Sequence, residues 1–290
     1  MDRLSILLIV IAGSSWGTAG LFSSKLYALG LTPFQVSSGR MLFAAAFMLI
    51  FVLLYKPKAM AVKPKSLILY AIGGSCLLGT SCTYYWAMSL TSFSTAVVLM
   101  YTSPIIVTAV SVIFLGERLT PLKLTGIVGS LLGCCFVTGI IGNLRFSPFG
   151  IFVGLLSGIF YSAYNLCVKV EMNREDDPCG ATAYCFIVSF LTSLLAARPS
   201  GTIAAVAAQP HSLLYIAGMG FFVGAFPYLI YTFAMRKIPA GVASAMSCVE
   251  PMVATIVSVI FMNERLTALS VIGILLILGS VILLSRESEN

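Results

Sequence analysis

The sequence predicts an all-α integral membrane protein with ten transmembrane helices, arranged as two inverted five-helix repeats. Three observations predict this fold class: the composition, the spacing of the apolar runs and an internal repeat. Of the 290 residues, 59% are hydrophobic and 9% are charged, whereas a soluble domain has about 25% charged residues. Such a chain cannot cover a water-facing surface, which excludes soluble enzymes, nucleic-acid-binding domains and secreted disulfide scaffolds.

Ten apolar runs are long enough to cross a bilayer, because a spanning helix needs about 20 apolar residues. Closely spaced charges and prolines end each run, since hydrocarbon tolerates neither bare charges nor unpaired backbone groups. Little chain remains for a domain outside the membrane, so we expect any function within the bilayer. The ten predicted spans are Leu4–Leu26, Pro33–Leu54, Leu67–Leu90, Phe93–Leu115, Leu122–Ile141, Pro148–Val170, Ala181–Ala197, Ser212–Met235, Ala240–Met262 and Ala268–Leu284.

The charge distribution predicts the orientation of these spans. Because ten spans is an even number, both termini lie on the same side of the membrane, and most Lys and Arg residues then lie on that side too. Cytoplasmic loops carry the excess of basic residues in membrane proteins. We therefore expect a multi-pass protein of the cytoplasmic (plasma) membrane with both termini in the cytoplasm. The net charge of +7 then reflects orientation within the lipid bilayer, and no nucleic-acid partner is expected.

An internal repeat relates the two halves of the chain. Residues 84–136 align without a gap with residues 231–283, at a constant offset of 147. Because five spans is an odd number, the second copy must enter the membrane the opposite way up. We predict two domains, residues 1–144 and residues 145–290. Inverted repeats of this kind recur in secondary transporters, where substrate binds near the bilayer midplane.

The motifs within the repeat resemble the EamA-type branch of the drug/metabolite transporter superfamily. The first copy carries Pro104, Gly116, Glu117–Thr120 (ERLT) and Gly126, and the second carries Pro251, Glu264–Thr267 (ERLT) and Gly273, with Asn263 in place of Gly116. Trp16-Gly17, Lys25 and Arg40 also match that family. The resemblance implies a cavity lined by the first, third, fourth, sixth, eighth and ninth spans. It implies a transporter of small polar metabolites, amino acids being a frequent cargo.

Glu250 is the strongest candidate for a functional side chain. It lies about ten residues into the ninth span, where a charged side chain costs about 2.5–3.5 kcal/mol on insertion scales. It must therefore face water, find a cationic partner or remain protonated, and it could couple transport to a proton or bind a cationic amine. The alternative is a structural hydrogen bond at a helix kink. Its counterpart in the first copy is Ser103, so the acid is not required by the repeated scaffold.

Two prolines are expected to break helices at mid-depth. Proline lacks an N–H, so Pro251 frees the carbonyl of Ser247 and Pro104 frees the carbonyl of Met100. Each half then offers a backbone acceptor to a substrate or a water molecule. The alternative is that both kinks only shape the helices.

Further polar and aromatic residues are candidates for binding a substrate. Arg40 could bind a carboxylate, pair with Glu250 or extend to the outer headgroups. Trp16, Tyr84, Tyr101 and Tyr231 could stack on a substrate and hydrogen-bond it, and Asn165 is a mid-membrane amide that needs a partner. Half of the aromatic residues could equally be ordinary packing. Lys25 and Lys169, which align at an offset of 144, are expected to anchor their helices at the membrane interface.

The function predicted from these residues is a secondary transporter without enzymatic activity or a bound cofactor. The favoured cargo is an amino acid or related small metabolite, with export preferred, moved by alternating access and driven by a proton, an ion or the cargo's own gradient. Cationic multidrug efflux and a scaffold subunit that does not transport are the alternatives. His211 is the only histidine and lies in a linker, so a serine protease or a metal site is not expected. The peripheral fifth and tenth spans could meet a second copy in a homodimer.

Overall fold

The computed structural model describes residues 3–139, 147–196, 199–262 and 265–287, and these parts are helical with no strand. Two short non-α segments also occur, the 3₁₀ turn Pro57–Met60 and the π-helical segment Gly220–Ala225. The α-helices are α1 (Arg3–Trp16), α2 (Ala19–Ala28), α3 (Pro33–Tyr55), α4 (Pro64–Leu90), α5 (Phe93–Met100), α6 (Ser103–Phe114), α7 (Pro121–Val137), α8 (Pro148–Asn173), α9 (Pro178–Ala196), α10 (Pro199–Ala208), α11 (Ser212–Met219), α12 (Phe226–Met235), α13 (Ala240–Met246), α14 (Val249–Phe261) and α15 (Ala268–Glu287).

These helices form the predicted set of spans. Within the described residues, nine helical stretches are long and apolar enough to cross a membrane, and the shorter apolar helix Pro121–Val137 occupies the position of the fifth predicted span. The chain is therefore an all-α membrane protein of the predicted class. Ile141, Ala197, Asn263 and Glu264, together with the predicted boundary between residues 144 and 145, lie outside the described residues.

One helix was not expected. The segment between the seventh and eighth spans was interpreted as a linker, but Pro199–Ala208 forms α10. Its alanine-rich sequence has high helix propensity. Its 10 residues are too few to cross the bilayer, because a spanning helix needs about 20.

Prolines and hydroxyl caps determine where several spans begin. α3, α7 and α8 each have a proline in the first turn, where its missing N–H leaves no helical hydrogen bond unmade. The preceding Thr32, Thr120 and Ser147 each accept a hydrogen bond from the backbone N–H three residues later. These caps satisfy donors that lipid could not.

The fourth and ninth spans are each interrupted at matching positions. α5 ends at Met100 and α6 begins at Ser103, whereas α13 ends at Met246 and α14 begins at Val249. Pro104 and Pro251 stand at the start of the second segment in each case. Because the offset of 147 superimposes the two interruptions, the broken helices occupy equivalent places in the two halves.

The two broken helices contact each other and the first span. The side-chain oxygens of Ser103 and Ser244 lie 3.1 Å apart. Gly17, where the first span is itself interrupted, packs so closely on the ninth that an added Cβ would lie 2.8 Å from the carbonyl oxygen of Glu250 and 2.8 Å from Cβ of Val253. Glycine at position 17 is therefore a condition for this approach.

Polar contacts close one end of the bundle, which we call the closed end and define by the turns at residues 56–60, 115–120, 174–177 and 236–239. Lys123, 2% exposed, donates a 2.7 Å hydrogen bond to Glu117, and the second oxygen of Glu117 accepts the backbone N–H of Ala240 at 2.7 Å. Lys169 donates to the carbonyls of Met235 and Ile238 at 2.9 and 2.8 Å.

The expectation that Lys169 anchors its helix at the interface is therefore wrong. Its side chain is 9% exposed and satisfies carbonyls at the end of α12, which have no helical donors of their own. The buried ammonium connects the sixth span to the turn that follows the eighth.

Gly17→Ala is expected to lower the free energy of unfolding by about 1–3 kcal/mol, because the new methyl group meets backbone and a β-branched side chain that cannot both move aside. Thermal unfolding of the purified protein in detergent measures the change. Gly20→Ala is the matched control, since a Cβ there would meet only Met262 at 3.8 Å. Equal melting temperatures for the two variants would contradict the close packing.

Lys123→Met is expected to destabilise the protein by about 3–5 kcal/mol, because it leaves the Glu117 carboxylate without its cation in a buried site. Unfolding of Lys65→Met, which removes an exposed lysine at the same end, provides the control. Adding Glu117→Gln to Lys123→Met should restore part of the loss. If the single variant is as stable as wild type, the ion pair contributes nothing to closing this end.

Candidate functional site

A cavity of about 630 Å³ lies between the broken helices and the first, third and eighth spans. Polar and aromatic side chains provide much of its wall. Its lining includes Trp16, Ser24, Tyr27, Arg40, Ser81, Tyr84, Tyr85, Met88, Met100, Tyr101, Tyr161, Met219, Val223, Tyr228, Glu250, Pro251, Thr255, Ser258, Met262 and Arg265. The six spans that the resemblance implies all contribute. The second span adds Arg40, and the fifth and tenth spans add Val137 and Ser270 near their ends.

The cavity extends toward only one end of the bundle. Its lining runs from Glu250 and Tyr101 at mid-span to Ser24, Met262 and Arg265 near the helix ends opposite the closed end. We call this the open end. No described residue of the turns that define the closed end belongs to the lining. The molecule is therefore asymmetric along its long axis, with a cavity toward one end and polar contacts at the other.

Glu250 lies in the first turn of α14 and lines the cavity. Its Oε2 accepts a 2.7 Å hydrogen bond from the hydroxyl of Tyr101, which also lies 3.2 Å from the carbonyl oxygen of Ser247. That carbonyl has lost its helical donor because residue 251 is proline. The tyrosine at the break of the fourth span thus contacts both polar groups at the break of the ninth.

Arg40 lines the same cavity from α3 and is 8% exposed. Its guanidinium donates to the hydroxyl of Ser81 at 3.0 Å, and its Nε has no hydrogen-bond partner among the described residues. Within the described ranges, ion pairs closer than 4 Å join Lys56 to Asp177 and Lys123 to Glu117. The considered pairing of Arg40 with Glu250 is therefore absent from the described structure. Among the described residues the cavity is lined by two cationic side chains, Arg40 and Arg265, and by the acidic side chain of Glu250, with which neither cation forms an ion pair.

Aromatic rings form the wall between these two groups and the apolar core. Trp16 meets Tyr228 edge to face with ring centroids 4.9 Å apart, and Tyr84 contacts Tyr85 at 5.4 Å. The indole N–H of Trp16 has no acceptor among the described residues. Such a wall can pack against an apolar or aromatic group of a bound molecule.

Asn165 and Tyr231 do not reach the cavity. Both are 0% exposed; the Tyr231 hydroxyl donates to the Asn165 side-chain oxygen at 2.5 Å, and the Asn165 amide donates to the carbonyl of Tyr161 at 2.8 Å. Pro104 and Ser247 are also buried outside the lining. The structure does not bring Asn165 and Tyr231 to the cavity wall, because their polar atoms bond within the protein. Their contact with a substrate stays a prediction.

Several lining residues were not singled out from the sequence, although a signal for them exists. Ser81 and Met88 share a helical face of α4 with Tyr84, which is a candidate from the sequence. Ser258 follows Glu250 by eight residues on α14, again on one face. The signal in the sequence is therefore a helical face shared with Glu250 or with Tyr84.

The described part of the chain places no three His, Cys, Asp or Glu side chains together as a metal site requires. What the arrangement can do is bind a small molecule with opposite charges and an apolar part, in a hollow that reaches one end of a membrane-spanning bundle. Fold and site together define a helical membrane transporter.

The chain belongs to the EamA-like transporter family, whose model matches residues 3–139 and again residues 148–286. Its relatives include the uncharacterized transporter YwfM of Bacillus subtilis, 25% identical over 98% of this chain and 94% of that protein. An uncharacterized transporter of Archaeoglobus fulgidus is 26% identical over 72% of this chain and 73% of its own length.

Two other similarities bear on cargo and fold. A probable terminal-alkyne amino-acid exporter of Streptantibioticus cattleyicolor is 23% identical over 67% of this chain and 64% of that protein. A crystal structure superposes with a TM-score of 0.80 over 100% of this chain and 99% of the other, at 19% identity, which shows a shared fold.

Tyr101→Phe is expected to destabilise the protein by about 1–3 kcal/mol, because the carboxyl group of Glu250 loses the hydroxyl that donates to it. Thermal unfolding is the measurement, with Tyr55→Phe as control since Tyr55 is 76% exposed. A melting temperature unchanged from wild type would show that the hydrogen bond seen here is not maintained.

Proposed function

We propose that this protein is a secondary transporter that exports amino acids or closely related small metabolites across the cytoplasmic membrane by alternating access. The observation that carries the proposal is the pair of opposite, mutually unbound side chains in the cavity, Arg40 and Glu250. An amino acid carries a carboxylate and an ammonium on one carbon, so it complements such a pair.

Each charged group has the chemistry to bind one end of that zwitterion. The planar guanidinium of Arg40 can donate two parallel hydrogen bonds to a carboxylate. Glu250 can accept a hydrogen bond from an ammonium group while its carboxyl group keeps the hydrogen bond from the Tyr101 hydroxyl. The tyrosines and Trp16 provide surface for an apolar side chain. The relative described as a probable terminal-alkyne amino-acid exporter supports the same cargo class.

The asymmetry of the two ends supports alternating access. The closed end carries most of the basic loop residues, so we assign it to the cytoplasm; the open end then faces outward. Loading from the cytoplasm requires the contacts among Glu117, Lys123, Ala240 and Lys169 to separate while the open end closes. Two inverted halves of similar energy supply such a pair of conformations.

A second candidate function, efflux of cationic amines, is favoured by the acidic Glu250 beside aromatic residues. An amine cargo has no carboxylate, so this second function, unlike amino-acid export, does not need Arg40 to bind its cargo. A homodimer joined through the peripheral fifth and tenth spans stays a prediction and is not needed for either function.

Counterflow of labelled amino acids into proteoliposomes tests the proposal. Wild type should exchange an amino acid faster than the matching amine or N-acylated acid. Arg40→Gln and Glu250→Gln should each weaken apparent affinity roughly tenfold to a hundredfold, because a charge-assisted hydrogen bond is worth about 1.5–3 kcal/mol. Arg40→Gln should also lose the preference for the amino acid over the amine.

Lys25→Gln, which removes an exposed cation near the open end, is the control and should transport normally. Counterflow of amines alone, unaffected by Arg40→Gln, would establish the second candidate instead. A folded protein that moves no amino acid, amine or related metabolite would support a scaffold role and contradict both.

A further inference from the structure

A second buried acid lies far from the cavity, near the closed end. Glu171 is in the last turn of α8, is 0% exposed, and neither of its carboxyl oxygens meets a hydrogen-bond partner among the described residues. A carboxylate without donors in an apolar surrounding is strongly disfavoured. Some other feature must therefore neutralise this group.

The groups around Glu171 offer it no positive charge at ion-pair distance. On the neighbouring elements the Asp176 carboxyl, which accepts from Tyr70 at 3.2 Å, adds repulsion. Within the described residues Arg174 makes no ion pair with Glu171, and the ammonium of Lys169 is engaged by two carbonyls. The titratable groups facing Glu171 are Tyr70 of α4, Cys185 of α9, Tyr164 and Cys167 of its own helix, and Arg174 and Asp176 of the following turn. A bound proton is the simplest way to remove the charge.

The contacts of the closed end keep water from Glu171. Arg236 donates to the backbone carbonyl of Asp176 at 2.9 Å, and Lys56 lies 2.7 Å from Asp177. These bonds fasten the turn after α8 to the turns after α12 and α3. If the end opens, this turn is released and water reaches the last turn of α8, where an ionised carboxylate becomes acceptable.

Resting on the alternating access of the proposed function, we propose that Glu171 is a proton-binding site, filled while the closed end is shut and emptied to the cytoplasm when it opens. Opening then releases one proton to bulk water and closing takes one back from the same side. Because the proton leaves and returns on one side, the site makes transport respond to cytoplasmic pH without carrying protons across the membrane.

The sign of the effect follows from linkage. The closed form binds the proton more tightly, so raising the cytoplasmic pH favours opening, by at most about tenfold in the equilibrium constant per pH unit. The acid occurs in one half only: at the offset of 144 that aligns Lys25 with Lys169, Glu171 corresponds to Tyr27, which lines the open end. The regulation therefore acts on a single end.

Infrared spectroscopy and unfolding test the site without transport. Wild type at neutral pH should show the carbonyl stretch of a protonated carboxylic acid, and that band should weaken in Glu171→Gln. The melting temperature of wild type should fall relative to Glu171→Gln as the pH rises from about 5 to about 9. Glu175→Gln, which changes an exposed acid in the adjacent turn, should behave as wild type in both measurements.

Transport with the pH varied only on the side of the closed end is the second test. Initial rates of wild type and Glu175→Gln should change several-fold across this range, whereas Glu171→Gln should transport at a rate that does not depend on that pH. If Glu171→Gln retains both the band and the pH dependence, the proposal is wrong. If the band and melting results hold while no variant transports any cargo, the proton site stands and the proposed function fails.

Discussion

A polar group placed midway through an apolar bundle must meet a partner or water, and this constraint organises the centre of the molecule. Proline at positions 104 and 251 removes two backbone donors, so each helix breaks where its hydrogen bonding fails. The tyrosine at the first break reaches the carbonyl exposed at the second. Since the breaks face each other, the polar groups at the two breaks are gathered in one place, and the cavity lies beside them.

The same constraint is met differently at the two ends of the bundle. At one end, buried Lys123 and Lys169 bind a carboxylate and backbone carbonyls. Toward the other end the cavity begins at mid-span, where Arg40 and Glu250 line it and do not bind each other. Buried charges that are hydrogen-bonded within the protein hold helices together, whereas opposite charges that do not bind each other are able to bind a ligand. The sequence repeat alone predicts neither arrangement, because each depends on a residue that only one copy has: Lys123 aligns with Ser270, and Glu250 aligns with Ser103.

Features that depend on residues near in sequence were predictable. The ten spans follow from run length and charge, and the breaks at Pro104 and Pro251 follow from the missing N–H. Features that depend on which helix faces which were not. Asn165 had to find a partner, yet only packing shows that the partner is Tyr231. The sequence predicts that Lys169 is an interfacial anchor, and only the packing shows that the turn after α12 covers it. Glu171 sits beside turn residues in the sequence, and its complete burial arises from α4 and α9, which are distant in the chain.

The π-helical segment Gly220–Ala225 in the eighth span has a consequence of its own. A π turn accommodates one residue more than an α turn, so everything after it is rotated by about 100° relative to a continuous α-helix. Tyr228 lies three residues after this segment, so the rotation helps to set the position of its ring against Trp16. Shortening the widened turn by one amino acid would swing this ring away from Trp16, so the shape of the cavity depends on the winding of the backbone as well as on the side chains that line it.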